Sequence, residues 1–192
     1  MNDRVEIGAI NGRFQPFHHG HAEYVFAALR RSQQLIIGIT NPHASSPHGN
    51  RSDLHRDLPD ANPFTYFERL EMIRDFLLEM DIPRERFEIV PFPIEEPAVL
   101  YRYIPRSAVN FFTIYDRWGQ EKIERLGEFG FQTETLWERP ETAKITNGTA
   151  IRRAIKEGHL WEHLVPPAIY KYIIQNELHR RIAAPTLQMG KP

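Results

Sequence analysis

The chain has 192 residues, 41 % of them hydrophobic and 26 % charged, a balance that fits one globular domain with a substantial core. It contains no cysteine, which excludes disulfides, thiolate metal sites and cysteine nucleophiles. Its formal net charge of −1 argues against a broad nucleic-acid surface, so an anionic ligand has to be held by a local cluster.

Along the chain, residues 4–11 (RVEIGAIN) read as a short buried strand, followed by the loop GRFQPFHHG. From His19 to Ser32 the apolar residues Ala22, Val25, Phe26 and Leu29 recur at helical spacing. LIIGIT (35–40) is a continuous apolar run, as expected of a strand covered on both faces. Residues 41–63 are rich in Pro, His, Ser, Asn and Asp and read as a long loop.

A second helix is predicted from Thr65, which has capping-box spacing to Glu68, with Leu70, Ile73, Phe76 and Leu77 on one face. FEIVPF (87–92) and NFFTIYD (110–116) read as strands, with a helical segment around 98–106 between them. A helix near 117–129 and a strand at 131–138 follow. The end reads as helical over 149–156 and 166–178, with Pro166 in the first turn. No apolar run reaches the length of a membrane span, and MNDRVEIGAI lacks a signal-like stretch, so a soluble, cytoplasmic protein with no membrane partner is expected.

Strands alternating with helices predict a doubly wound, Rossmann-like α/β fold: a parallel sheet with helices on both faces. It is read as one domain over 1–192, with a C-terminal helical segment at about 149–178 and a tail at 179–192. Ligands of such sheets bind beyond the carboxyl ends of the strands, and GRFQPFHHGH sits at such an end. A helix starting there turns free N–H groups and its positive dipole end toward the crevice. His18 and His21 are three apart and can share one side of the first turn. Gly20 allows close backbone approach, and Arg13 adds a fixed positive charge. Imidazoles can donate hydrogen bonds to phosphate oxygens, and a neighbouring polyanion favours their charged form.

His18-His19-Gly20-His21 matches the His-x-Gly-His signature of the nucleotidyltransferase superfamily, which is related to class I aminoacyl-tRNA synthetases. The longer string from Gly12, Arg13 and Phe14 to His21 resembles archaeal-type nicotinamide mononucleotide adenylyltransferases. Asn62-Pro63-Phe64-Thr65 with Glu68-Arg69, and Asn147-Gly148-Thr149 with Arg152, resemble two further blocks of that family, in the family order. The last carries Asn147 where the family has Ser.

The resemblance implies transfer of AMP from ATP to a pyridine mononucleotide in NAD biosynthesis, with release of pyrophosphate. The acceptor phosphate attacks the α-phosphorus directly, without a protein nucleophile or general base. It implies that His18 and His21 bind the triphosphate and stabilise the transition state, while Arg13 and Arg152 hold phosphate oxygens. Gly12, Phe14, Gly20, Asn147, Thr149 and Asp116 fall in the nucleotide-binding segments. Mg²⁺ is expected as a bridge carried by the nucleotide, no metal site on the protein is assigned, and the partners are the triphosphate and a small phosphorylated acceptor, in a homo-oligomer.

Two further features depart from that pattern. The loop 41–61 is longer than the family norm and carries His43, His48, Arg51, His55 and Arg56. Its histidine spacing fits metal ligation poorly, whereas a phosphate-contacting lid, with Arg51 and Arg56 as substrate ligands, fits its composition. The family's pyridine-binding Asn and Trp fall here on Ala98 and Tyr101. Tyr101 can stack, but Ala98 cannot hydrogen-bond a carboxamide. A cytidylyltransferase or adenylyltransferase acting on another small phosphate or phosphonate therefore stands as the alternative, and a non-catalytic nucleotide sensor as a second.

Overall fold

The computed structural model describes residues 4–42 and 59–183. Val5–Gly12 (β1), Ser32–Ile39 (β2), Phe87–Pro91 (β3), Val109–Ile114 (β4) and Gln132–Glu138 (β5) form one sheet in the order β3-β2-β1-β4-β5. Every neighbouring pair runs parallel. The connecting helices include α1 (His19–Arg31), α2 (Tyr66–Glu79) and α3 (Arg117–Glu128). The described C-terminal part adds α4 (Gly148–Lys156), α5 (Pro167–Gln175) and α6 (Leu178–Ala183).

The doubly covered sheet follows from the two-residue period of its central strands. Leu35, Ile37 and Ile39 of β2, with Ile10 of β1, join a core cluster that includes residues of α1, α2, α4, α5 and α6. Ile36 and Ala9 point the other way, into a second cluster with Phe92, Leu100, Phe112 and Leu126. Such strands cannot alternate apolar with polar, which is why 35–40 reads as a continuous apolar run. This is the expected doubly wound α/β architecture. Among the described residues no helix is long and apolar enough to cross a membrane.

Local signals place the helices. Thr65 caps α2 with both bonds of a capping box, its hydroxyl accepting from Glu68 N–H and the Glu68 carboxylate accepting from Thr65 N–H. The segment read as a helix at 98–106 is a 3₁₀ helix over Pro97–Arg102. The helix read over 166–178 ends at Gln175 as α5, and a separate helix, α6, starts at Leu178 after Glu177 takes a left-handed φ of 55°. Helical structure thus runs to Ala183, past residue 178.

The strand order reverses between β1 and β4, the position where doubly wound folds open a crevice. Two irregularities lie on that carboxyl side. The β1–β4 ladder stops at Ala9–Asn110, and the β4–β5 ladder shifts register between Phe112 and Thr113.

Candidate active site

The loop after β1 is a tightly packed turn. Phe14 adopts a φ of 52°, a left-handed conformation that costs an L-residue roughly 1–2 kcal/mol. Its ring is 1 % exposed, packed beside Phe17 and edge-on to His21, and burying it returns about 1.5–3 kcal/mol. Burial therefore outweighs the strain. Gly12 is required beneath it, since a Cβ there would lie 2.9 Å from the Phe14 ring.

His18 is the N-cap of α1, with its Nδ1 accepting from His21 N–H at 3.4 Å. That acceptor role puts the proton of the neutral ring on Nε2, which becomes a donor. The His18 and His21 rings stack with centroids 3.7 Å apart. Gly20 makes room, because a Cβ there would come within 3.1 Å of the His18 ring. Burial, then the positive charge of His19, lowers the His18 pKa to about 3. Burial, then His18 and Arg13, holds His21 well below the usual histidine value. Burial thus favours the neutral form of both imidazoles in the free protein, and an arriving anion favours their charged form. His21 Nδ1 is buried without a hydrogen-bond partner.

Arg152 reaches this loop from α4. It is 9 % exposed and donates from Nη1 to the Gln15 carbonyl at 2.6 Å and from Nη2 to the Thr149 hydroxyl at 3.3 Å. Burial lowers its pKa, with Asp60 opposing. A buried guanidinium held by a carbonyl and a hydroxyl retains most of its charge for a ligand. Asn147 caps α4, its side chain accepting from Ala150 N–H at 2.9 Å.

A second buried arginine lies underneath. Arg69 is 1 % exposed and donates to the carbonyls of Arg13, Thr40, Asn41 and Thr65, joining the carboxyl ends of β1 and β2 to the head of α2. Burial pushes its pKa down to about 10, so it stays cationic at neutral pH.

These parts enclose a cleft of ≈ 280 Å³. Its described lining brings together Gly12, Arg13, Phe14, His18, Gly20, His21, Asn147 and Arg152, all expected at the site. Arg13, Lys122, Lys144 and Arg152 supply four cations to that lining, and no carboxylate joins them among the described residues. Its electrostatics suit a polyanion. Thr149 lies one step back, bonded to Arg152. Asp116 caps α3, accepting from Gly119 N–H at 3.0 Å, and lines an adjoining cavity that meets the cleft at Tyr115. Ala98 is exposed and Tyr101 is 50 % exposed under Arg102, and neither lines the cleft. Arg51 and Arg56, with His43, His48 and His55, fall outside the described residues.

Lys122 and Lys144 are lining residues that motif reading misses. Lys144 Nζ lies 2.9 Å from Glu141, 3.8 Å from Asp116 and 5.4 Å from the centre of the Tyr115 ring. The nearest sequence signal is its position just before the Asn147 block.

Residues 9–154 match the family described as cytidylyltransferase-like. The chain belongs to the cytidylyltransferase-like family. This family member is 43 % identical over 177 residues to a phosphonoformate cytidylyltransferase of Streptomyces viridochromogenes, covering 92 % of this chain and 95 % of the relative. It is 31 % identical to a nicotinamide-nucleotide adenylyltransferase of Saccharolobus solfataricus, covering 91 % and 94 %. In fold it is similar to a bifunctional NMN adenylyltransferase/ADP ribose pyrophosphatase from Francisella tularensis, with TM-score 0.65 and 18 % identity. That alignment covers 93 % of this chain and 52 % of the larger protein, so the chain spans about half of it. The structure of the same bifunctional protein with AMP and a manganese ion aligns at TM-score 0.63 and 17 % identity. The relatives' shared chemistry makes this cytidylyltransferase-like chain a nucleotidyltransferase and an enzyme.

Proposed function

We propose that this enzyme transfers CMP from CTP to a small phosphonate or phosphate acceptor, releasing pyrophosphate. The observation that carries the reading is the 43 % identity to a phosphonoformate cytidylyltransferase across 95 % of that protein's length. The cleft supports it: four cations and no described carboxylate suit a triphosphate together with a compact anionic acceptor. The pyridine-mononucleotide reading, which the sequence resemblance puts first, becomes the second. It keeps the support of archaeal relatives at 30 % and 31 % identity. Ala98 and Tyr101, its would-be pyridine contacts, stand outside the cleft.

In this reading an ionised acceptor oxygen attacks the α-phosphorus in line. The new O–P bond forms as the bond to the β-phosphate oxygen breaks, and pyrophosphate leaves with the electron pair. No proton has to be removed, so catalysis is alignment and charge stabilisation. His18 donates from Nε2 to a phosphate oxygen, His21 beside it gains positive charge as negative charge arrives, and Arg13 and Arg152 bind phosphate oxygens. Mg²⁺ arriving with the nucleotide would supply positive charge that offsets the triphosphate's negative charge.

The direct test is ³¹P NMR of the enzyme with CTP, Mg²⁺ and phosphonoformate. The expected products are a phosphonate–phosphate mixed anhydride and pyrophosphate. Hydrolysis of CTP to CMP alone, or no reaction, contradicts the reading.

A further inference from the structure

Gln15 lies inside the anion loop, is 3 % exposed, and its side-chain amide is bonded to the backbone of Phe64. Its Nε2 donates to the Phe64 carbonyl at 2.9 Å, and its Oε1 accepts from Phe64 N–H at 3.0 Å. The amide thus pairs with a peptide group as one β-strand pairs with another. Phe64 is fully buried and sits just before the capping box of α2, a firm abutment. The Gln15 backbone carbonyl, on the same residue, accepts the 2.6 Å bond from Arg152 Nη1. The contact leaves no slack: a Cβ on Gly148 would lie 2.6 Å from that carbonyl oxygen and 3.1 Å from Arg152 Nη1.

We infer that Gln15 is a positioning residue that fixes the Arg152 guanidinium at the cleft through its own carbonyl. The three separate sequence blocks of the site meet at this residue: the histidine loop contains it, the Asn62–Arg69 block clamps its side chain, and the Asn147–Arg152 block bonds its backbone. A guanidinium binds phosphate with directed N–H groups, so its orientation matters as well as its charge. Freeing the Gln15 side chain lets the carbonyl swing, and Arg152 with it. The inference rests on the nucleotidyl-transfer reading of the cleft and not on the choice of acceptor.

The test is a double-mutant cycle between Gln15 and Arg152. Gln15→Ala is the first variant. Gln15→Glu is the second, since it keeps the volume and the bond from Phe64 N–H but loses the donor to the Phe64 carbonyl. Each is combined with Arg152→Lys and assayed for pyrophosphate release below its melting temperature. Affinity for magnesium tripolyphosphate is measured by calorimetry in parallel. Displacing a binding group by about 1 Å can cost on the order of 10²-fold, so kcat is expected to fall by about 10- to 100-fold in Gln15→Ala and less in Gln15→Glu. Tripolyphosphate affinity should fall with it. Arg152→Lys should then add under about 3-fold in the Gln15→Ala background and less than its wild-type effect in Gln15→Glu, the non-additivity of residues acting as one unit. Fully multiplicative effects, or kcat within about 3-fold of wild type in both single variants, overturn the inference. A wild-type protein that does not bind tripolyphosphate overturns the underlying reading of the cleft instead.

Discussion

The His18 and His21 rings lie face to face, 3.7 Å between centroids and 21° from parallel. Two imidazolium ions at that separation repel by about 4 kcal/mol even at an effective dielectric near 20. The pair is built to stay neutral until an anion arrives, and it makes the free protein sensitive to acid.

The sign follows from the His18 pKa, lowered by burial to about 3 against 6.5 in the unfolded chain. Between these values the unfolded state binds more protons, so stability falls as pH drops below 6.5 and is unaffected above it. At pH 5.5 the loss from His18 is on the order of 1 kcal/mol, and His21 acts in the same direction. The melting temperature should therefore fall between pH 7.5 and 5.5. His18→Asn, which keeps an N-cap acceptor but does not titrate, should show a shallower fall. Equal slopes in the two proteins would contradict the buried-neutral histidine pair.

Triphosphate binding should take up protons near neutral pH, because a bound polyanion raises both histidine pKa values from their depressed state. Calorimetry of tripolyphosphate binding at pH 6.5 in buffers of different ionisation enthalpy measures that uptake. A binding enthalpy independent of buffer would show that the histidines stay neutral in the complex.

His21→Ala should lower kcat by about 10² or more, the scale of a lost transition-state hydrogen-bond donor, with the fold retained. Arg152→Lys should also lose activity although the charge is kept, because a point charge cannot replace a directed fork. Near-normal turnover in either variant removes that residue from the proposed machinery.

Gly148→Ala should damage the enzyme, whereas Gly127→Ala should not. Ala in place of Gly inside a helix ordinarily stabilises by about 0.5–1 kcal/mol. At Gly127 nothing lies within 4 Å of the added Cβ, so that gain is expected. At Gly148 the Cβ meets the Gln15 carbonyl oxygen at 2.6 Å, so either the loop or Arg152 has to move. Comparing melting temperature and kcat for the two variants checks the sign reversal.

Much of this architecture was legible in the sequence because its signals are local. The Thr65–Glu68 capping box, the apolar run of β2 and the histidine loop each read from a few adjacent residues. The break at Glu177 did not, since a single left-handed residue leaves the 3.6-residue apolar pattern almost intact. Arg69 was visible as part of a block but not as a buried strut, because its acceptors are carbonyls as distant as Arg13 and Thr40. Gln15 was hidden for the same reason, its partners being the Phe64 backbone and Arg152. The cationic lining contributed by Lys122 and Lys144 depends on where α3 and the segment before α4 converge on the sheet, which no short spacing encodes.

The central claim concerns which nucleotide and which acceptor this cleft accepts. The ratio of kcat/KM for CTP with phosphonoformate to that for ATP with nicotinamide mononucleotide, measured by pyrophosphate release, tests it most directly. A site built around a substrate's hydrogen-bonding groups discriminates by about 10⁴-fold or more, so a ratio above about 10³ in favour of CTP and phosphonoformate is expected. A ratio below one would contradict the account and return the enzyme to the pyridine-nucleotide reading.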